Sequence, residues 1–250
     1  MSLQASYGNW VSKRIIYLFG LVGILLAGLA LLFWPFSIPA ALFILGCAFF
    51  AYARYEASSG RGKLQDRIRA LVVENLEWTG EGKALDIGCG NGPLVVALAK
   101  RYPRAQVVGV DYWGGQWEYS QEACERNAQI EGVSERTGFQ KASAVHLPFH
   151  DGYFDAVVSN LVFHEVADAQ DKRQVIREAL RVLKDGGAFS FQDLFLMKRF
   201  YGNTDELVAT LRSWGLAEVE FVATNNCKFI PRLFKLPFMV GTMGLIKGRK

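Results

Sequence analysis

Apolar residues fill one long stretch near the start of the chain. No charged residue occurs from Ile15 to Ala53, a run of 39 residues that is broken only around Trp34–Pro39. Two apolar segments result, at 15–34 and 38–53. A membrane-spanning helix needs about 20 apolar residues, so the first segment is long enough and the second lies at the short limit. The pattern predicts a transmembrane helical hairpin.

Three other interpretations of this run compete with a transmembrane hairpin. The second segment could return as a shallow hairpin rather than span. A cleaved signal peptide has an apolar core of only about 7–15 residues, which is much shorter than this run. A soluble hairpin would need a large partner surface to cover helices that are apolar on all sides.

Basic residues flank the two apolar segments on their outer sides. Lys13 and Arg14 precede the first segment, and the turn between the segments carries no charge. Five basic residues follow the second segment: Arg54, Arg61, Lys63, Arg67 and Arg69. Lys and Arg residues next to a membrane-spanning helix favour the cytoplasmic side. We therefore expect a multi-pass protein of the cell membrane with two spans, and with everything after the hairpin in the cytoplasm.

Beyond residue 62 the pattern changes to alternating short apolar runs and amphipathic segments. Alternation of strands and helices predicts a parallel sheet with helices on both faces. The predicted strands are 84–87, 106–111, 138–142, 154–160, 187–192, 217–223 and 242–248, and the predicted helices are 63–76, 93–99, 118–130, 168–183 and 205–214. We therefore expect two domains, a hairpin anchor at 1–55 and an α/β domain at 56–250.

A glycine-rich turn follows the first predicted strand. The sequence Asp86-Ile87-Gly88-Cys89-Gly90-Asn91-Gly92 leads into Pro93, which suits the first position of a helix. A strand, a glycine turn and a helix N-terminus together favour nucleotide binding. The dinucleotide fingerprint G-x-G-x-x-G fails here because Pro93 occupies its last position. A second strand ends at Asp111, 19 residues after Gly92, where a carboxylate is expected to bind ribose hydroxyls.

Four blocks in this order resemble the class I S-adenosylmethionine-dependent methyltransferases, of the UbiE-like type 11 group. They are the 86–92 turn, the strand ending at Asp111, the LPFHDGYFDAVV stretch at 147–158 and the LRVLKDGG stretch at 180–187. The resemblance spans about residues 63–250. It implies a Rossmann-like sheet of seven strands, the last two forming an antiparallel edge, and S-adenosylmethionine as the cofactor.

The resemblance also implies a set of cofactor contacts. Asp86 would order the loop, Asp111 would bind both ribose hydroxyls, and Tyr112 or Trp113 would lie against the adenine. An acidic residue often meets the adenine amine, but Ala142-Ser143-Ala144 stands at that position, so Ser143 would substitute. The full set is Asp86, Gly88, Cys89, Gly90, Asn91, Asp111, Tyr112, Trp113, Ser143, Ala144 and Asn160. No metal ligand set is expected.

Two residues after the 154–160 strand are candidates for catalysis. His164 and Glu165 lie in a loop that borders the acceptor in similar enzymes, and a histidine titrates near neutral pH. A structural role for His164 is the alternative. The N-P-P-Y type of motif that serves planar amino acceptors is absent, because residues 160–163 read Asn-Leu-Val-Phe.

Charge is unevenly distributed along the chain. Residues 221–250 carry six basic and no acidic residues, whereas residues 54–220 carry 20 basic and 24 acidic residues. Basic ends suit anionic lipid headgroups, and the mildly acidic middle does not suit nucleic acid. We expect a membrane-bound methyltransferase of a lipid or small amphiphile. A soluble acceptor, a nicotinamide-dependent oxidoreductase and a non-catalytic membrane module are the alternatives.

Overall fold

The protein is described here from a computed structural model covering residues 4–58, 63–114, 119–237 and 239–250. The described residues form two compact units. One consists of residues 8–67, and the other of residues 4–7 together with residues 68–250. The predicted domain boundary at residues 55 and 56 stays a prediction.

Two long helices make up most of the 8–67 unit, as the apolar pattern predicts. Helix α1 runs over Lys13–Ala30 and α2 over Ser37–Ala57, with a 3₁₀ turn at Trp34–Phe36 between them. Their close approach requires small residues. A Cβ on Gly46 would lie 2.5 Å from the Phe19 ring, and one on Gly23 would lie 2.9 Å from Ile44 Cγ1.

Both helices are long and apolar enough to cross a bilayer. The second, at 21 residues, is longer than its apolar segment, because residues 54–57 continue the helix. Most large apolar side chains on both helices are exposed, among them Tyr17, Leu18, Leu21, Ile24, Leu42 and Leu45. Length and composition alone do not separate spans from other apolar helices.

The larger unit contains a seven-stranded sheet in the order β3-β2-β1-β4-β5-β7-β6. Strands β1 to β5 are parallel, and β7 is antiparallel to both β5 and β6, as predicted. The strands are β1 Gly82–Ile87, β2 Ala105–Asp111, β3 Thr137–Lys141, β4 Phe154–Asn160, β5 Leu183–Asp193, β6 Glu218–Val222 and β7 Gly244–Arg249.

Six further helices accompany these strands among the described residues. They are α3 Leu64–Glu74, α4 Pro93–Arg101, α5 Gln121–Ile130, α6 Arg173–Arg181, α7 Lys198–Tyr201 and α8 Thr204–Ser213. Helix α7 was not predicted. The prediction of a helix from residue 168 was wrong: Lys172 Nζ donates to the carbonyls of Val166 and Ala169, and Asp171 Oδ1 accepts from Arg173 N at 3.0 Å. These bonds hold a turn, so α6 begins only at Arg173.

The carboxyl ends of four parallel strands meet at one edge of the sheet. Ile87 pairs with Val110 on one side and with Ser159 on the other, and Asn160 pairs with Gln192. The residues that end β1, β2, β4 and β5 therefore lie next to one another. In open α/β sheets this edge is where ligands bind.

Candidate functional site

The loop after β1 is built from glycines in left-handed conformations. Gly88, Gly90 and Gly92 have φ of 73°, 57° and 80°, which other residues adopt only with strain. Gly92 caps α4, and Pro93 begins that helix. A side chain at 88 has no room, because a Cβ there would lie 2.2 Å from Val162 Cγ2. The first amides of α4 thus directly follow a tight turn whose residues are buried, apart from half-buried Gly88.

The peptide groups of Gly90 are held from three sides. Its N–H donates to Asp111 Oδ2 at 2.8 Å, and its carbonyl accepts from Trp113 Nε1 at 2.9 Å and from Cys124 Sγ at 3.1 Å. Asp111 Oδ1 also accepts from Trp113 N at 2.9 Å. Asp111 therefore orders the glycine loop, and an ionised carboxylate with four lone-pair sites keeps acceptor capacity for a ligand.

Asp86 makes no hydrogen bond to the glycine loop among the described residues, and the loop-ordering role that the resemblance implies stays a prediction. Its side chain is buried, and neither carboxylate oxygen has a hydrogen-bond partner among the described residues. Burial raises the pKa of Asp86 to about 8; the charge of Asp111 adds to the rise, and Arg69 opposes it. A buried carboxyl without a partner beside a glycine cradle fits a ligand that brings positive charge to this place.

Cys89 and Asn91 have side chains that point into the protein. The Cys89 thiol is buried against Cys124, and burial raises its pKa well above the usual range. Asn91 Oδ1 accepts from Ser120 N at 3.1 Å. The backbone carbonyl of Asn91 accepts from Asn127 Nδ2 at 3.0 Å. The backbone N–H of Cys89 donates to the Val110 carbonyl at 3.0 Å, so both loop positions are held by contacts within the domain.

Tyr112 and Trp113 differ in accessibility. Tyr112 is exposed, with Lys141 Nζ 5.3 Å from its ring centroid. Trp113 is held against the loop through its bond to the Gly90 carbonyl, in a left-handed conformation with φ of 44°. Such a conformation costs about 1–3 kcal/mol and persists only when neighbouring groups enforce it. Tyr112 is thus the more accessible of the two rings.

The Ala142–Ala144 segment lies beside Asp111, because Ala142 N donates to the Asp111 carbonyl at 3.0 Å. Ser143 forms a bridge with His146, and its Oγ accepts from Val145 N at 3.4 Å. Asn160 is tied to its neighbour strand: Gln192 Nε2 donates to Asn160 Oδ1 at 2.8 Å and also to the carbonyl of Ile68 at 3.0 Å. The predicted cofactor residues therefore surround the ends of β1, β2 and β4.

His164 forms a pair with a residue that the sequence did not single out. Its Nδ1 lies 2.6 Å from Asp193 Oδ1, and its backbone N donates to Asp193 Oδ2 at 3.3 Å. Burial lowers the pKa of His164, but the bond and charge of Asp193 more than offset this, so the pKa lies above the usual 6.5. Glu165 Oε1 is 3.8 Å from His164 Nε2. The Asp193 bond leaves Nε2 as the basic atom of neutral His164.

Asp193 also interacts with Tyr201 of α7. Burial raises the pKa of Tyr201, and the nearby Asp193 raises it further. The residues that sequence reasoning missed are Asn127, Gln192, Asp193 and Tyr201. The one available signal was that Asp193 directly follows the predicted 187–192 strand, because the ends of parallel strands are where site residues gather.

Comparison with known proteins finds similarity within the larger unit. Residues 85–191 match the family model described as a methyltransferase domain. A methyltransferase, GfsG of Streptomyces halstedii, is 29% identical over 72% of this chain and 58% of its own length. The ubiquinone/menaquinone biosynthesis C-methyltransferase UbiE of Desulfotalea psychrophila is 33% identical over 53% of each chain. The chain thus spans little more than half the length of these relatives.

Solved structures agree on the fold. Geranyl diphosphate C-methyltransferase from Streptomyces coelicolor A3(2), in complex with Mg²⁺, geranyl diphosphate and S-adenosyl-L-homocysteine, superposes with a TM-score of 0.53 at 16% identity, covering 76% of this chain and 80% of that one. The Rossmann-like seven-stranded fold is therefore confirmed.

Proposed function

We propose that this chain, whose residues 85–191 match a methyltransferase domain, is an S-adenosylmethionine-dependent methyltransferase with a more specific activity. The protein transfers a methyl group at the cytoplasmic face of a membrane to a lipid or small amphiphilic acceptor that bears an N–H or O–H proton. His164 acts as the general base, and the 8–67 hairpin is the membrane anchor.

One observation carries the cofactor assignment: the glycine loop is fixed by Asp111 while Asp86 stays buried without a partner. S-adenosylmethionine supplies an electrophilic methyl group and carries positive charge on its sulfonium and ammonium groups. Gly88 and Gly90 would contact it through their backbone, Asp111 through its remaining lone pairs, and Asp86 would compensate its charge. Tyr112, Ser143, Ala144 and Asn160 border the same edge of the sheet.

Methyl transfer requires the acceptor to lose its proton when the new bond forms. His164 suits this step because Val162, two residues before it, packs directly on Gly88. The loop that carries the base is therefore in contact with the loop that holds the cofactor. Asp193 holds the imidazole by Nδ1, so that Nε2 can accept the proton. Glu165, near Nε2, stabilises the protonated ring.

The character of the hairpin supports an acceptor that resides in the bilayer. Core helices of soluble proteins bury most of their apolar side chains, whereas the large apolar side chains of α1 and α2 are mostly exposed. A bilayer would cover them. A membrane anchor concentrates the enzyme where amphiphilic acceptors are found, and gives no comparable gain for a freely diffusing one.

A label-transfer experiment tests this proposal. The full chain, purified in detergent, is given methyl-labelled S-adenosylmethionine and a total membrane extract, and the products are partitioned between organic and aqueous phases. Label that appears in the organic phase, and is lost when Asp111 is replaced, supports a lipid-type acceptor. Label confined to the aqueous phase overturns the acceptor class while leaving methyl transfer intact, and no transferred label overturns the activity.

A further inference from the structure

Two loops next to the His164–Asp193 pair form a basic and partly apolar surface. The first is residues 194–203, after β5, and the second is residues 224–243, between β6 and β7. Leu196 N donates to the Thr242 carbonyl at 3.0 Å, which joins the two loops. We call seven residues of these loops the basic lip: exposed Lys198, Arg199, Lys228, Arg232, Leu233 and Leu236, and half-buried Lys235.

The position of the basic lip follows from strand register. Asp193, the last residue of β5, pairs with Gly244, the first residue of β7. Both loops therefore leave the sheet at the edge where Asp193 holds His164. An acceptor that reaches His164 along this side passes the basic lip.

All charged residues of the two loops are basic. Residues 194–203 and 224–243 contain five basic residues and no acidic residue. Among the described residues, Lys198, Lys228 and Arg232 are exposed and take part in no ion pair. By contrast, basic residues elsewhere in the domain, such as Lys184 and Lys247, pair with carboxylates. Unpaired cations on an exposed loop are complementary to an anionic surface.

Apolar side chains stand between these cations. Leu233 is 57% exposed and Leu236 is 36% exposed, whereas their neighbours Ile230 and Phe234 are buried and fix the loop to the domain. Protruding leucines flanked by lysine and arginine suit the boundary between headgroups and acyl chains. A nucleic acid or an acidic protein would use the cations but leave these leucines without a role.

We propose that the basic lip docks on an anionic lipid surface and forms the entrance through which the acceptor reaches His164. The role as an entrance rests on the proposed function; the docking does not. Each basic residue next to an anionic bilayer strengthens binding by about fivefold. Reversing two of them therefore weakens docking by about thirtyfold or more.

Hydrogen exchange of the full chain in nanodiscs tests the docking without cofactor or acceptor. The discs contain phosphatidylcholine alone, or phosphatidylcholine and phosphatidylserine in equal parts. We expect the amides of 228–237 to exchange about tenfold more slowly in the anionic discs. The double variant Lys228→Glu/Arg232→Glu should lose this protection. The control variant Arg101→Glu/Arg177→Glu reverses two exposed residues on α4 and α6 and should keep it.

Equal exchange of 228–237 in both kinds of disc overturns the proposal, and so does protection that survives in the lip variant or is lost in the control. Protection that appears instead with an added RNA or acidic polypeptide overturns it in favour of that partner. Because this readout needs no methyl transfer, failure of the docking and failure of the proposed activity are separate results.

Discussion

Val162 packs on Gly88 so closely that a Cβ at residue 88 would lie 2.2 Å from Val162 Cγ2 and 2.5 Å from Cγ1. This contact joins the glycine loop after β1 to the loop after β4 that carries His164. The two loops are therefore parts of one packed structure, and a change in either should affect the other.

Gly88→Ala should damage both stability and cofactor binding. The new methyl group meets Val162 and the residue keeps a left-handed φ, so the cost combines strain of about 1–3 kcal/mol with overpacking of a similar size. Gly132→Ala is the matched control, because its φ is 70° and a Cβ there meets nothing within 4 Å. Thermal unfolding of the full chain in detergent compares the two. Equal losses of stability would contradict the packing argument.

Asp86→Asn should stabilise the protein without cofactor, and more so as pH rises. The pKa of Asp86 is about 8 in the folded chain and near 3.8 when exposed, so the folded state retains a proton that the unfolded state has lost between these values. Stability contributed by this group therefore falls as pH rises from about 4 to 8. At pH 7.5 the variant should gain at least about 1.4 kcal/mol, the equivalent of one pKa unit.

The same variant should bind S-adenosylmethionine more weakly, since it loses the compensating charge. Urea unfolding at several pH values measures the change in stability, and cofactor titration measures the change in affinity. A gain in stability that does not depend on pH would show that Asp86 of the folded chain stays ionised across this pH range. It would refute the raised pKa of Asp86.

Asp193→Asn should shift the pH dependence of methyl transfer. His164 must be neutral to accept a proton, so the rate rises with pH through its pKa, which Asp193 raises. Removing that charge lowers the pKa and moves the acidic limb of the kcat/KM profile to lower pH. Glu165→Gln is the control, because its carboxylate is 3.8 Å away and should move the limb less.

His164→Ala should lower kcat by about 100-fold or more if the imidazole is the base. Unchanged cofactor binding separates this loss from damage to the glycine loop. A variant with near-normal kcat, or an acidic limb that stays in place in Asp193→Asn, would assign the pair a structural role.

Much of the fold could be predicted from the sequence because its signals are local. The β1 strand, the glycine turn and Pro93 are contiguous, and β4 was predicted with its observed bounds. The predicted helix over 168–183 was too long because its first turn depends on bonds from Lys172 to carbonyls up to six residues away. Periodicity does not report such bonds.

The candidate site was only partly predictable for a related reason. Asp193 is 29 residues from His164, and their contact exists only because β4 pairs with β5. The role of Asp86 depends on complete burial, which a motif does not encode. Conversely, Asp111 was found because a fixed distance from the glycine turn places it at the end of the neighbouring strand.

The most direct test of the central claim is calorimetric titration of S-adenosylmethionine into the full chain and into two carboxylate variants. Asp111→Asn removes the charge that holds the Gly90 N–H, and it should weaken binding by about tenfold or more. Asp155→Asn, at the opposite end of β4, removes a carboxylate that likewise accepts from a backbone N–H, that of Lys83 at 2.8 Å, and should leave the affinity unchanged. An unmodified chain that binds no cofactor, or an Asp111 variant that binds as tightly as the unmodified chain, would contradict the account.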